Sequence, residues 1–337
     1  MNWWRKFQRL PWRTVTAGAG LLLTLFVGYL SWSPGLDVQD GRHDRRRNGI
    51  WLSHGWLGAD AWFIRYGKTN QLARYRDATH IRELAALLRL HHITDVFPHL
   101  CPAESDGRLP PVDSRQVELF LDNFTSFRVM PWIGGPNGSH VLASSPKWRA
   151  SFARSILDLM AAHPRLAGVH LNVEPMTSGD TNFLALLDEL RVALPKGKLL
   201  SIAAYPPPSR YHPFKDVHWN EDYFRQVARR SDQMAVMMYD TALRMPKLYQ
   251  RLMVAWPEEV LLWSEGKPVP LGVPTYDDAC VGYHHPRVEN LRNALLGIHR
   301  GLSYRPLPTN YQGVSIYCEW ETDTTEWRYF GEHFLKP

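Results

Sequence analysis

From Asn48 onward, eight short apolar runs alternate with stretches whose apolar residues recur at helical spacing, and this alternation restricts the fold more than any other feature. The runs are GIWL (49–52), ITDVFPHL (93–100), FRVMPWIGG (127–135), LAGVHLNVE (166–174), KLLSIAAY (198–205), QMAVMMYD (233–240), VPLGVPTY (269–276) and YQGVSIYCEW (311–320). Their lengths suit strands buried on both faces. Between them Phe152, Ile156, Leu159 and Met160 repeat at i, i+3/i+4 and i+7. Phe183, Leu187, Leu190 and Leu194 do the same, as do Val288, Leu291, Leu295 and Ile298. That spacing is the apolar stripe of an amphipathic helix. A doubly wound sheet seldom needs so many strands, so residues 48–337 are expected to form one closed α/β structure, a (β/α)8 barrel.

The first 47 residues read differently. TVTAGAGLLLTLFVGYLSW, residues 14–32, is an uncharged, mostly apolar run of about the length that crosses a bilayer. Arg5, Lys6, Arg9 and Arg13 precede it. This arrangement predicts a basic cytoplasmic tail (1–13), a transmembrane signal-anchor (14–32), a basic linker (33–47) containing Arg42, Arg45, Arg46 and Arg47, and a barrel on the extracytoplasmic side. Most of the net charge of +6 falls in this region. The body lacks the clustered basic face that nucleic-acid binding needs, so the membrane, not nucleic acid, is the expected partner. Cys101, Cys280 and Cys318 have no metal-ligand spacing and are odd in number, which favours unpaired thiols; one disulfide stays open for an extracytoplasmic domain.

Function in such a barrel sits at the C-terminal ends of the strands. Polar and aromatic residues gather at those ends: Asp95 and His99, Trp132 with Gly134 and Gly135, Asn172 and Glu174, Tyr205, Tyr239 and Asp240, Tyr276 with Asp277 and Asp278, and Glu319, Trp320 and Glu321. Asn172 and Glu174, two positions apart on one strand, face the same side, with His170 one step deeper as a satisfied core histidine. Cleaving a glycosidic bond needs an acid to protonate the leaving oxygen and a second group to stabilise charge at the anomeric carbon. Glu174 suits the acid if desolvation raises its pKa. Asn172 cannot attack the sugar, but its amide can orient a substrate acetamido group whose own carbonyl oxygen attacks instead.

At these residues the chain resembles family 18 glycoside hydrolases, the chitinases and their relatives. AGVHLNVE is similar to their fourth-strand D-G-x-D-x-D-x-E aligned on Gly168 and Glu174, IGG (133–135) to the end of S-x-G-G, and MMYD (237–240) to M-x-Y-D. LGVPTY (271–276) and GVSIYCEW (313–320) are similar to the seventh and eighth strands. Ala167, His170 and Asn172 stand where the signature has Asp, and Trp132 where it has Ser. The Asn two residues before Glu resembles family 85, the endo-β-N-acetylglucosaminidases. The resemblance implies Glu174 as general acid/base, Asn172 as the acetamido-orienting group, and Tyr239 and Asp240 as contacts to the N-acetyl group. The aromatic and polar residues at the strand ends make Trp51, His99, Trp132, Tyr205, Tyr276, Tyr317 and Trp320 the candidate sugar-binding lining, and the resemblance places Tyr317 where chitinases commonly have a Trp.

No other chemistry is signalled. GKT (67–69) lacks the glycine a phosphate loop needs, because position 62 is Trp; there is no H-E-x-x-H and no G-x-S-x-G. Neither metal nor cofactor is expected. The expected activity is membrane-anchored hydrolysis of a β-linked N-acetylhexosamine polymer. Two alternatives are an ordinary double displacement with Asp240 or Glu319 as second carboxylate, and a catalytically inactive glycan-binding or scaffold protein of an envelope polysaccharide system.

Overall fold

The computed structural model describes residues 12–278 and 283–337; Arg5, Lys6, Arg9 and Cys280 lie outside the described residues. Nine parallel strands form one sheet: β1 (Asn48–Leu52), β2 (Ile93–Pro98), β3 (Arg128–Val129), β4 (Trp132–Pro136), β5 (Gly168–Glu174), β6 (Leu199–Ala204), β7 (Gln233–Met237), β8 (Val269–Pro274) and β9 (Tyr311–Tyr317). Their order is β3-β2-β1-β9-β8-β7-β6-β5-β4. β3 and β4 are two halves of the third apolar run, parted at Met130 and Pro131, where proline offers no N–H to a ladder. A bridge between His99 and Trp132, beside the Leu100 N–H to Trp132 carbonyl bond of 2.8 Å, joins the two sheet edges. The sheet therefore curls into a barrel with eight strand positions, one for each apolar run.

The helices are α1 (Trp12–Ser31), α2 (Ala61–Arg65), α3 (Leu72–Arg76), α4 (Ala78–Leu90), α5 (Ser114–Asn123), α6 (Pro146–Ala162), α7 (Thr181–Ala193), α8 (Glu221–Arg229), α9 (Pro246–Trp263), α10 (Leu291–Leu302) and α11 (Thr324–His333). The expected stripes pack inward: Phe152, Ile156 and Met160 of α6, Phe183, Leu187 and Leu190 of α7, and Leu291, Leu295 and Ile298 of α10 are all buried. Asp113, Asp180 and Asn220 cap α5, α7 and α8 by accepting backbone N–H bonds of the first turn, so these helices start where the strand-to-helix loops end.

The barrel interior is crossed by one chain of hydrogen bonds. Arg128 pairs with Asp95 through two contacts of 2.6 Å, and the Gln233 and Gln312 amides donate to the same carboxylate at 2.6 and 2.7 Å. The Ser201 hydroxyl donates to Gln233 Oε1 (2.7 Å), and His170 Nδ1 lies 2.8 Å from Ser201 Oγ. The Trp51 indole N–H, which can only donate, reaches His170 Nε2 at 3.1 Å. His170 is thus a neutral Nδ1–H tautomer, and burial lowers its pKa to about 3. Asp95, expected at the mouth, belongs to this interior chain because it lies in the first half of β2 and not at its C-terminal end; it pairs across to Gly49 and Arg128.

Two expectations about the N-terminus change. Residues 34–47, expected as a linker, pack on the barrel: Leu36 N–H bonds the Leu296 carbonyl at 2.8 Å, and Val38, His43 and Asp44 are buried. The Asp44 carboxylate accepts from the backbone N–H of Arg46 and Lys336 and meets the His92 ring, tying the segment to both chain ends of the barrel. The body therefore begins ahead of Asn48. The segment expected to span a membrane does form a helix, α1, but no helix among the described residues is long and apolar enough to cross one. Gly18, Gly20, Thr24 and Gly28 interrupt it, and its large apolar side chains are concentrated between Leu21 and Leu30. Lys247 holds its C-terminal end by donating to the Tyr29 and Leu30 carbonyls at 2.8 and 2.9 Å.

Asp95 is fully buried whereas Arg128 is partly exposed. Arg128→Ala strands the carboxylate without its cation and is expected to cost about 3 kcal/mol, read as a lowered midpoint in urea denaturation. Gln233→Ala removes a buried amide that donates to Asp95 and Gln312 and accepts from Ser201, and is also expected to lower the midpoint, at a cost of about 1–3 kcal/mol.

Candidate active site

β5 runs buried from Gly168 to Val173 and opens only at Glu174, so its last residue alone enters the barrel mouth. β4 lies against it in register, Gly134 beside Asn172 and Pro136 beside Glu174. Gly134 has φ +112°, and a Cβ there would sit 2.0 Å from the Asn172 carbonyl oxygen. The glycine lets β4 approach closely enough to fix the backbone of Asn172, which gives the IGG run its physical reason.

Glu174 is exposed at the cleft that it lines, and the surrounding barrel atoms desolvate its carboxyl. This enclosure pushes its pKa up to about 7, and the nearby negative charge of Asp240 adds to the rise. Hydrogen bonding from Asn172 and Tyr205 opposes it. Since a carboxylate only accepts, Asn172 presents its NH2 to Glu174, which leaves Asn172 Oδ1 buried and without a partner. The Trp132 indole N–H, in the wall of the same cleft, is likewise buried and unpartnered. One acceptor and one donor, both buried and without partners, thus stand in the cleft wall near Glu174.

Tyr239 and Asp240 follow β7. Asp240 adopts φ +61°, a left-handed conformation that aspartate tolerates, and turns the chain sharply at the mouth. The Tyr276 hydroxyl donates to Asp240 Oδ1. Tyr317 stacks on Tyr239 (5.3 Å) and meets Tyr276 edge-on (5.2 Å), so these three rings form the floor beside Glu174. Trp320, more exposed than any of them, stands edge-on to Tyr317 at 5.6 Å. Tyr205 is buried beside Glu174, and His99 packs between His54 and Trp132.

Two residues are placed differently from expectation. Trp51 lies buried below the floor, committed to His170, and only borders the cavity. Glu319 points away from the cleft: it accepts from Ser53 N–H and Trp56 Nε1 and pairs with Arg74 at 3.3 Å. Of the two second carboxylates considered above, only Asp240 lines the cavity.

Three cavities that share Glu174 make a continuous cleft. A central one of about 270 Å³ holds Trp132, Asn172, Tyr239 and Tyr317. On one side a cavity of about 570 Å³ is bordered by Tyr205, His212, Phe214 and Tyr283. On the other, one of about 370 Å³ is bordered by His54, Trp62, Tyr66 and His140. Phe214, Tyr283 and Tyr66 are each at least half exposed. Sequence reasoning missed these flanking residues, although the aromatic density of residues 54–66 in the loop after β1 was a visible signal. Cys101 and Cys318 are buried free thiols.

Residues 110–267 match the family model described as Glycosyl hydrolases family 18. This stretch contains Trp132, Asn172, Glu174, Tyr205, Tyr239 and Asp240. The fold is similar to the Bacillus cereus spore cortex-lytic enzyme SleL, with 12% identity over 89% of this chain and 75% of that one and a TM-score of 0.53. It is also similar to the Bacillus megaterium spore cortex-lytic enzyme SleL (11%, 86% and 74%, 0.55) and to a chitinase from Chromobacterium violaceum (16%, 86% and 99%, 0.54). No curated protein matches the chain. The chain thus resembles family 18, and its barrel is the barrel of these enzymes. The family match, which includes Glu174, supports a glycoside hydrolase.

The raised pKa of Glu174 has a consequence for stability. Folding strengthens proton binding at this carboxyl, so the stabilisation is complete below about pH 4.5 and is lost as pH rises through about 7. Glu174→Gln removes the titration. The variant is expected to gain thermal stability relative to wild type between about pH 4.5 and pH 7, with a constant difference above that window, measured as the difference in Tm across a pH series.

Proposed function

We propose that the protein hydrolyses a β-linked N-acetylhexosamine polymer by a substrate-assisted mechanism. The observation that carries the reading is Asn172: it lines the cleft beside Glu174, its NH2 engages that carboxyl, and its Oδ1 is buried without a partner. An acetamido N–H is the donor that fits that oxygen. Bound so, the acetamido carbonyl faces the anomeric carbon. Glu174, protonated below about pH 7, gives its proton to the glycosidic oxygen as the carbonyl oxygen attacks, and the C–O bond to the leaving sugar breaks. A water then attacks the cyclic intermediate, Glu174 takes its proton, and the acetamido group is restored. Trp132 Nε1 supplies a further donor to the sugar.

The open cleft on both sides of Glu174, bordered by exposed aromatic rings, supports a long-chain substrate over a terminal sugar alone. Peptidoglycan, chitin-like chains and an exported polysaccharide all present the required acetamido group; the first two agree with the spore cortex-lytic enzymes and chitinases that share the fold. The double-displacement variant rests on Asp240 alone. The aspartates replaced at Ala167, His170 and Asn172 favour the alternative of a silent glycan binder, and one substitution separates the readings. Glu174→Gln is expected to lower turnover of N-acetylglucosamine polymers roughly 100- to 10,000-fold while leaving binding intact, followed by mass spectrometry of products and by binding of an oligosaccharide. Equal product spectra from wild type and variant would leave only the binder.

The proposal also attaches the protein to a membrane through α1, with the barrel on the extracytoplasmic side. Leu21, Leu22, Leu23, Leu25, Phe26, Val27 and Leu30 are each more than half exposed, and lipid would cover them as protein does not. The full chain is expected to float with lipid vesicles, and Leu22→Glu with Phe26→Glu to reduce the floating fraction. Protease protection in right-side-out cells checks the orientation.

A further inference from the structure

Behind the cleft wall, three side chains from two loops converge. Asp240 follows β7, and His284 and Glu289 lie in the segment after β8, with their ligand atoms all within 4.8 Å of one another. His284 and Glu289 are fully buried. His284 Nε2 lies 2.9 Å from the Tyr276 carbonyl oxygen, which can only accept, so that nitrogen carries the ring's proton. In the neutral ring the Nδ1 lone pair then faces two carboxylate oxygens, Asp240 Oδ1 at 3.3 Å and Glu289 Oε2 at 3.9 Å. His284 Nδ1 and Glu289 Oε1 have no hydrogen-bond partner among the described residues. A buried imidazole nitrogen facing two carboxyl groups needs either a proton or a metal ion between them.

The spacing distinguishes a proton from a metal. A charge-assisted N–H···O bond to a carboxylate closes to about 2.7–2.9 Å. Two ligands at about 2.0–2.1 Å from a tetrahedral ion stand about 3.3 Å apart. The distance from His284 to Asp240 is that of a coordination edge, and the longer one to Glu289 is open enough to close around an ion. We propose that Asp240, His284 and Glu289 form a site for a divalent transition metal, zinc by its one-nitrogen, two-carboxylate donor set, with a fourth position left open. Supporting contacts hold each ligand as metal sites require: the Tyr276 carbonyl fixes the tautomer of His284, the Tyr276 ring stacks on it at 3.8 Å, and Thr241 N–H donates to Glu289 Oε2 at 2.9 Å. The sequence conceals the site because Asp240 lies far upstream and His284 and Glu289 are separated by four residues, a spacing no common metal motif uses. The proposal shares Asp240 with the cleft, but its test reads ion binding without substrate and so stands or falls apart from the hydrolase reading.

The test uses the full chain in detergent, stripped with a chelator and then dialysed against Zn2+, with metal content measured by mass spectrometry. Because the chain has 15 histidines, the comparison with variants carries the result. Wild type is expected to retain about one zinc per chain more than either His284→Ala or Glu289→Gln, and to gain thermal stability on zinc addition where the variants gain none. Glu289→Gln conserves volume, which keeps the comparison valid where His284→Ala loses the fold. Zinc-edge X-ray absorption of the wild type is expected to show a mixed nitrogen and oxygen shell. Equal zinc content in wild type and a folded variant overturns the proposal. Calcium or magnesium binding that zinc cannot displace also overturns it, because those ions select all-oxygen shells.

Discussion

The hydrogen-bond chain from Arg128 through Asp95, Gln233 and Ser201 to His170 and Trp51 is the constraint on which the mouth of the barrel depends. Each link has one permissible direction, set at one end by an indole that only donates and at the other by a carboxylate that only accepts. Polar groups in a dry interior are costly unless all are satisfied, and here they hold β5 against β1, β2, β6, β7 and β9. β5 is the strand that delivers Asn172 and Glu174. The acids replaced at His170 and Asn172 are therefore not simple losses: His170 joins a neutral interior network, and the only acid of the strand is the one at its open end.

That arrangement concentrates proton chemistry in one place. With no second carboxylate on β5, the remaining charge beside Glu174 comes from Asp240, whose proximity raises the proton affinity of Glu174 together with the enclosure of the site. Asn172 moderates the rise through its hydrogen bond to the carboxylate, and its own Oδ1 stays buried without a partner. The aromatic floor of Tyr239, Tyr276 and Tyr317 excludes water from below, while the flanking loops leave the cleft open lengthwise.

Much of this was legible in the sequence because strand periodicity and strand-end position are local properties. All eight apolar runs became barrel positions, and Asn172 and Glu174 fell where a two-residue spacing at a strand end places them. What could not be read depends on partners distant in sequence. Asp95 looked like a mouth residue until Arg128, brought beside it by the interrupted third strand, claimed it. The basic stretch 33–47 looked like a linker because its cover, around Leu296 and Lys336, lies some 250 to 300 residues away. Glu319 sits in a strand-end run that resembles a site, yet Arg74 and the Trp56 indole turn it from the cleft. The exposed rings of Phe214 and Tyr283 carry no periodicity at all, since loops set their positions.

The central claim is that the substrate's own acetamido oxygen is the nucleophile, held by Asn172 beside Glu174. Its most direct measurement is the rate on a series of chromogenic N-acetylglucosamine oligomers whose acetyl methyl carries zero to three fluorines. Fluorine withdraws electrons from the carbonyl and weakens its attack without changing the leaving group. A steep fall in kcat/KM with each fluorine, comparable to one power of ten or more across the series, is the predicted result. A rate insensitive to fluorination would contradict the account and move the nucleophile to Asp240 or to water.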